Sequence, residues 1–160
     1  VTLRTDARHD LFNRHGLWLP ENAVFLGTDK GAVAFTNYDG ETVELHMAGE
    51  RGWLTPTLLR SVWAYVWDVL ECTRVTARVR EDRETALRID LRLGFKVEGY
   101  MRQADQGLGV WILGMLKEEC RYGKGESAEA GISAGPPATD PDAGAVQPGQ
   151  HVEPVRIAAV

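Results

Sequence analysis

Glu44 and His46 put a carboxylate and an imidazole two positions apart in a run that reads as a β-strand. Such spacing projects both side chains from one face, and either group can take a proton from a nucleophile. An exposed strand face carrying ordinary polar residues would have the same pattern. Further along, Arg80-Glu81-Asp82-Arg83-Glu84 reads either as a solvated helix start or, through Arg83, as a guanidinium for a phosphate, whose oxygens it suits. Asp90 is limited as a proton donor: a carboxyl with its ordinary pKa of about 4 is ionised at neutral pH and has a proton to give only if strongly buried. Its expected role in proton transfer is therefore none. Cys72 and Cys120 lack a nearby patterned histidine, so a thiol nucleophile has no support. The histidines at 9, 15, 46 and 151 lack any recognised zinc-ligand spacing, and no metal site is expected.

The elements that would position these residues can be read from periodicity. A short helix is expected near 6–14, then strands at about 23–28, 31–37 and 41–48. Asp29-Lys30-Gly31 and Asp39-Gly40 lie between those strands as tight hairpin signals. Thr55 can cap a helix that carries Pro56 in its first turn. That helix runs to about residue 70, with Leu58, Leu59, Val62, Trp63, Val66, Val69 and Leu70 as its apolar stripe. A strand at 74–79, a helix at about 83–93 and strands at 96–103 and 110–117 follow. Trp63, Trp67 and Trp111 are expected in the core. In the 83–93 helix, the apolar residues 86, 87, 89, 91 and 93 fit one wide face, and Gly94 ends it.

A helix closing in Leu93-Gly94-Phe95 and running straight into a strand with Glu98-Gly99 resembles the acetyl-CoA-binding half of the GNAT acyltransferase superfamily. The resemblance covers residues 41–119, and the ending Gly114-Met115-Leu116-Lys117-Glu118-Glu119-Cys120-Arg121 is similar to the RimJ/RimL-like branch. It implies an α/β fold: a mixed, mostly antiparallel sheet with flanking helices and a splayed central strand pair. It also implies acetyl-CoA as acyl donor and an amine as acceptor, with Glu44 and His46 as the catalytic candidates. The pantetheine arm would enter beside the strand at 42–49, next to Met47. The pyrophosphate would meet the loop Arg51, Gly52, Trp53, Leu54 and Thr55 at a helix start, where free N–H groups favour an anion, with Arg83 as a further contact. Three positions depart from the family pattern. Leu54 stands near a usual glycine, Arg83 near a usual asparagine, and Asp90 where many relatives carry a tyrosine that protonates the leaving thiolate.

The chain has 160 residues, 44% hydrophobic and 26% charged, with a net charge of -5. These values suit a globular domain and do not suit a nucleic-acid partner, which would call for a basic surface. No apolar run reaches the roughly 20 residues a membrane span needs. Two cysteines and a polar first stretch lead to the expectation of free thiols and a cytoplasmic setting. Every aromatic residue lies in 1–122, the expected GNAT-like domain. Residues 123–160 hold six glycines, five prolines and five acidic residues, a composition that stays disordered alone or orders as an arm docked on a larger protein assembly. Similar proteins occur among the virion genes of tailed bacteriophages, so two readings stand: an acetyltransferase, or a non-enzymatic GNAT scaffold of such a particle.

Overall fold

The computed structural model describes residues 8–122; the expected arm at 123–160 and the start of the first helix lie outside them. The element order is α1 (His9–Arg14), β1 (Val24–Thr28), β2 (Gly31–Thr36), β3 (Thr42–Gly49), α2 (Pro56–Ala64), β4 (Arg74–Arg80), α3 (Glu84–Leu93), β5 (Lys96–Asp105) and β6 (Leu108–Leu116). The six strands form one sheet in the order β1-β2-β3-β4-β6-β5. All neighbours are antiparallel except β3 and β4. Among the described residues no helix is long and apolar enough to cross a membrane.

Local chemistry explains the strand ends. Thr28 and Gly31 pair across the two-residue turn Asp29-Lys30, the hairpin geometry that short polar residues allow. Asn37 takes a positive φ of 52° and ends β2 one residue earlier than the pattern predicts. Asp39 then accepts the backbone N–H groups of Glu41 and Thr42 at 2.9 and 2.7 Å, the Asx chemistry that makes aspartate a turn residue. Those bonds hold its carboxyl below the usual aspartate range.

Strand β2 is buried along its whole length because both faces are covered. On one face Val33, Phe35, Val43, Leu45, Val75 and Ala77 pack beneath α2 and the end of α3. On the other, Ala32, Ala34, Ala48 and Phe25 meet Leu11 and Phe12 of α1. The same row continues past the six residues of α1 into polar side chains, where Thr36 pairs with Glu44 and Ala34 with His46.

The long helix expected at 56–70 departs from α geometry at Tyr65. It starts as predicted, with the Thr55 hydroxyl accepting the Leu58 N–H at 3.2 Å and Pro56 in the first turn. Beyond Ala64 a π turn spans Tyr65–Val69, closed by Leu70 N–H to the Tyr65 carbonyl at 2.9 Å. Tyr65, Val66 and Trp67 are all buried in this wider turn. Val69 is exposed, outside the expected stripe. Trp63 and Trp67 stack in the core at 5.7 Å as expected, whereas Trp111 is only half-buried, tilted against Tyr100 at 4.6 Å.

Strand β5 is the sheet edge, ten residues long and mostly exposed. Its pairing with β6 shifts register between Val97 and Gly99 and again between Met101 and Asp105, with Gln103 at φ 54°. At the far end of β3, Gly49 pairs with Gly31, and the Trp53 indole lies on both; a Cβ at either position would overlap its ring. Gly49→Ala is expected to lower stability in urea unfolding by about 1–3 kcal/mol, the usual range for overpacking. In a Trp53→Ala background that cost should largely disappear, and a double-mutant cycle reads the difference.

Candidate active site

The parallel pairing of β3 with β4 covers only Thr42–Arg74, Val43–Val75 and Glu44–Thr76. Beyond that point the strands part. Leu45, His46 and Met47 on one side and Ala77, Arg78 and Val79 on the other border a cavity of about 200 Å³, closed by Arg83, Ala86 and Asp90 of α3. A second hollow of about 600 Å³ shares Met47, Arg83 and Ala86 with the first. It reaches the end of β3, Trp53, Leu54 and the first turn of α3. The splayed pair expected from sequence is therefore present, and it opens toward the start of α2.

Glu44 and His46 share a face as predicted, but that face is not an exposed one. Glu44 is buried and both of its oxygens are engaged: Asn37 Nδ2 donates to Oε2 at 2.9 Å, and Arg78 Nε lies 3.2 Å from Oε1. Both oxygens are thus turned to groups of the protein itself. His46 is better suited to take a proton. Its Nε2 lies 2.9 Å from Thr36 Oγ1 and 3.9 Å from Glu44 Oε1. Burial holds its pKa below the ordinary 6.5, opposed by the Glu44 charge and aided by Arg78, so the ring is neutral at pH 7. The Glu44 charge favours the proton on Nε2 and leaves Nδ1 as the acceptor nitrogen.

Asp90 departs most from the sequence expectation. It is 3% exposed, while its neighbour Leu91 is 40% exposed. The apolar face drawn through residue 91 is thus rotated, and the carboxyl points inward. Among the described residues its Oδ1 has no hydrogen-bond partner. Burial pushes its pKa up to about 7, so the condition under which this carboxyl keeps a proton near neutrality is met.

The expected cofactor residues divide into two sets. Met47, Trp53, Leu54 and Arg83 come together as walls of the larger hollow. Arg83 is half-exposed at the N-cap of α3, with Asp82 Oδ1 at 4.0 Å from its Nε. Arg51, Gly52 and Thr55 are not among those walls; Arg51 and Gly52 are exposed, and Gly52 turns the loop at φ 79°. The loop satisfies several of its own donors: Trp53 N–H reaches the Glu50 carbonyl at 3.2 Å and Thr55 N–H the Trp53 carbonyl at 3.0 Å.

Residues the sequence reading passed over complete the site. Asn37, Thr36 and Arg78 fix Glu44 and His46; their signal was register, since Thr36 opposes Glu44 and Arg78 lies two residues beyond Thr76, its partner on β4. Arg80 clasps Asp82 through two bonds of 2.7 and 2.8 Å and reaches Asp105 at 3.5 Å, which brings the β5–β6 turn to the cavity.

No family model matches the sequence, and no curated protein sequence is significantly similar to it. Solved structures are similar in fold. A variant of the spermidine/spermine N-acetyltransferase SpeG from Vibrio cholerae superposes with a TM-score of 0.59 at 16% identity, over 73% of this chain and 94% of that one. A GNAT-family acetyltransferase from Bacillus anthracis gives 0.52 at 14% identity, over 61% and 68%. A protein described as a putative acetyltransferase gives 0.53 at 22% identity, over 62% and 60%. At these identities the likeness defines the architecture, which is the GNAT fold.

The buried carboxyl makes a prediction for stability. Native Asp90 binds its proton more tightly than the unfolded chain does, so its contribution falls as pH rises from its ordinary 3.8 to about 7. Between pH values of about 4 and 8, wild type should lose on the order of 2–4 kcal/mol more than Asp90→Asn. Urea unfolding across that range measures the difference.

Proposed function

We propose that the protein transfers an acetyl group from acetyl-CoA to an amine. The carrying observation is the gap between β3 and β4, which holds a neutral His46 and continues into a hollow with Arg83 at its rim. From Leu45 onward the β3 edge that faces β4 has no strand partner among the described residues, which suits it to an extended amide-containing arm. Met47 and Leu54 offer apolar wall to that arm, and Arg83 offers charge to its phosphates. The donor therefore fits the residues present.

The chemistry then assigns roles to this chain's own groups. An amine attacks the thioester carbonyl only in its neutral form, and the new C–N bond leaves a positive nitrogen that must lose a proton. His46 Nδ1 takes that proton. Thr36 and Glu44 hold the ring from its other nitrogen, and Arg78 and Asn37 fix Glu44 in turn. The guanidiniums of Arg78, Arg80 and Arg83 stand beside the carboxylates of Glu44, Asp82 and Asp105.

The scaffold reading also draws on a specific observation, the loop at 50–55 that uses its own N–H groups. Calorimetry separates the two. Titration with acetyl-CoA should give saturable heat, and no detectable binding at millimolar ligand would leave only the scaffold. In the enzyme reading, His46→Ala should lower kcat about 10²–10⁴-fold with the KM for acetyl-CoA little changed. Because burial lowers the His46 pKa, activity toward an aromatic amine that stays neutral in weak acid should persist below pH 6.5 and decline only in stronger acid.

A further inference from the structure

The hollow at the start of α3 carries charge that its proposed ligand would oppose. Asp82 and Glu84 both line it, with Arg83 as the guanidinium between them. Two open carboxylates beside one guanidinium would repel the phosphates of acetyl-CoA. An acidic side chain near a helix start ordinarily turns to the free N–H groups there. Asp82 is turned elsewhere. Arg80 donates to it twice, from Nε to Oδ1 at 2.7 Å and from Nη2 to Oδ2 at 2.8 Å, and the N-cap of α3 has no side-chain bond.

We propose that Arg80 is a positioning residue for the acyl donor: its guanidinium holds and cancels the Asp82 carboxylate, leaving the Arg83 guanidinium to meet the donor's phosphates. This rests on the acetyl-transfer reading above. Arg80 acts from behind the wall. It lines the smaller cavity and is not among the walls of the larger hollow, so a phosphate beside Arg83 meets an Asp82 that is already paired.

The two guanidiniums are placed for different tasks. The Arg80 side chain is 12% exposed, its planar fork fixed on both Asp82 oxygens, and its Nη1 reaches Asp105 at 3.5 Å. The main chain ties the same corner together. Arg83 N–H donates to the Arg80 carbonyl at 2.9 Å, Glu81 N–H to the Gly109 carbonyl at 2.9 Å, and Gly109 N–H to Glu81 Oε1 at 2.8 Å. The Arg80 bonds hold the Asp82 carboxyl below the usual aspartate range, so its charge is present and is met by a cation rather than by a proton. Arg83 is 45% exposed, and its 4.0 Å approach to Asp82 is longer than a hydrogen bond. With Arg80 removed, Asp82 would turn on Arg83 and on the phosphates alike.

Calorimetric titration of the full-length protein with acetyl-CoA tests this. If wild type gives no saturable heat at millimolar ligand, the transfer reading fails and takes this one with it. Where wild type binds, Arg80→Met should weaken binding about ten- to hundredfold. Adding Asp82→Asn to that variant should return the affinity to within about threefold of wild type. Without that recovery, Arg80 serves the phosphates directly or serves only the fold, and the masking role is overturned. Thermal unfolding separates the two effects: the double variant should regain affinity while its Tm stays near that of Arg80→Met. A Tm that recovers along with affinity would assign the loss to folding and overturn the proposal. Asp82→Asn alone keeps the buried guanidinium and serves should Arg80→Met fail to fold. It should bind acetyl-CoA at least as tightly as wild type, and weaker binding would overturn the proposal by itself.

Discussion

The ion pair between Arg78 and Glu44 marks where the sheet stops being a sheet. Hydrogen bonding between β3 and β4 ends at Glu44–Thr76, and the guanidinium one residue past Thr76's neighbour reaches back to the Glu44 carboxylate at 3.2 Å. Below that brace the strands are a continuous core layer; above it they frame a cavity. The buried carboxylate is met on one side by Asn37 Nδ2 at 2.9 Å and on the other by the Arg78 guanidinium, which is itself half-exposed and screened by solvent. The brace therefore favours one geometry at the base of the gap, and the site inherits its rigidity.

Covering elements follow from that split. Helix α2 and the end of α3 take the apolar face of β2, β3 and β4, while the short α1 covers only the alanine row on the other. His46 and Glu44 occupy the row's polar end, and the turn after α1, with Gly16 at φ 73°, brings His15 and Leu17 to the cavity wall. The arrangement gives His46 the burial that keeps it neutral.

The sequence carried the strands, the hairpin turns, the capped start of α2 and the divergence of the central pair, because each rests on local chemistry or on a family-like segment. It did not carry the π turn, since one inserted residue of helical phase leaves no mark in residue type. It misplaced the face of α3 for a related reason. Leu91 is apolar and Asp90 is charged, so hydrophobicity alone assigns them the wrong way round; the phase of Leu87, Ile89 and Leu93 with the Gly94 cap decides otherwise. At the site, the Glu44–His46 pairing was visible in the two-residue period. The partners that set their protonation come from β2 and β4, and only sheet register brings them near.

The outer margins of the sheet bear on solubility. Strand β5 offers ten residues of backbone with a neighbour on one side only, a template on which foreign strands can grow into aggregates. Its two register shifts and the left-handed Gln103 interrupt that ladder, and Lys96, Glu98 and Arg102 add charge along it. At the opposite margin β1 has five residues. An irregular, charged border and a brief one deny fibril-like stacking a straight run to copy, so the fold keeps an open-edged sheet without inviting others to extend it.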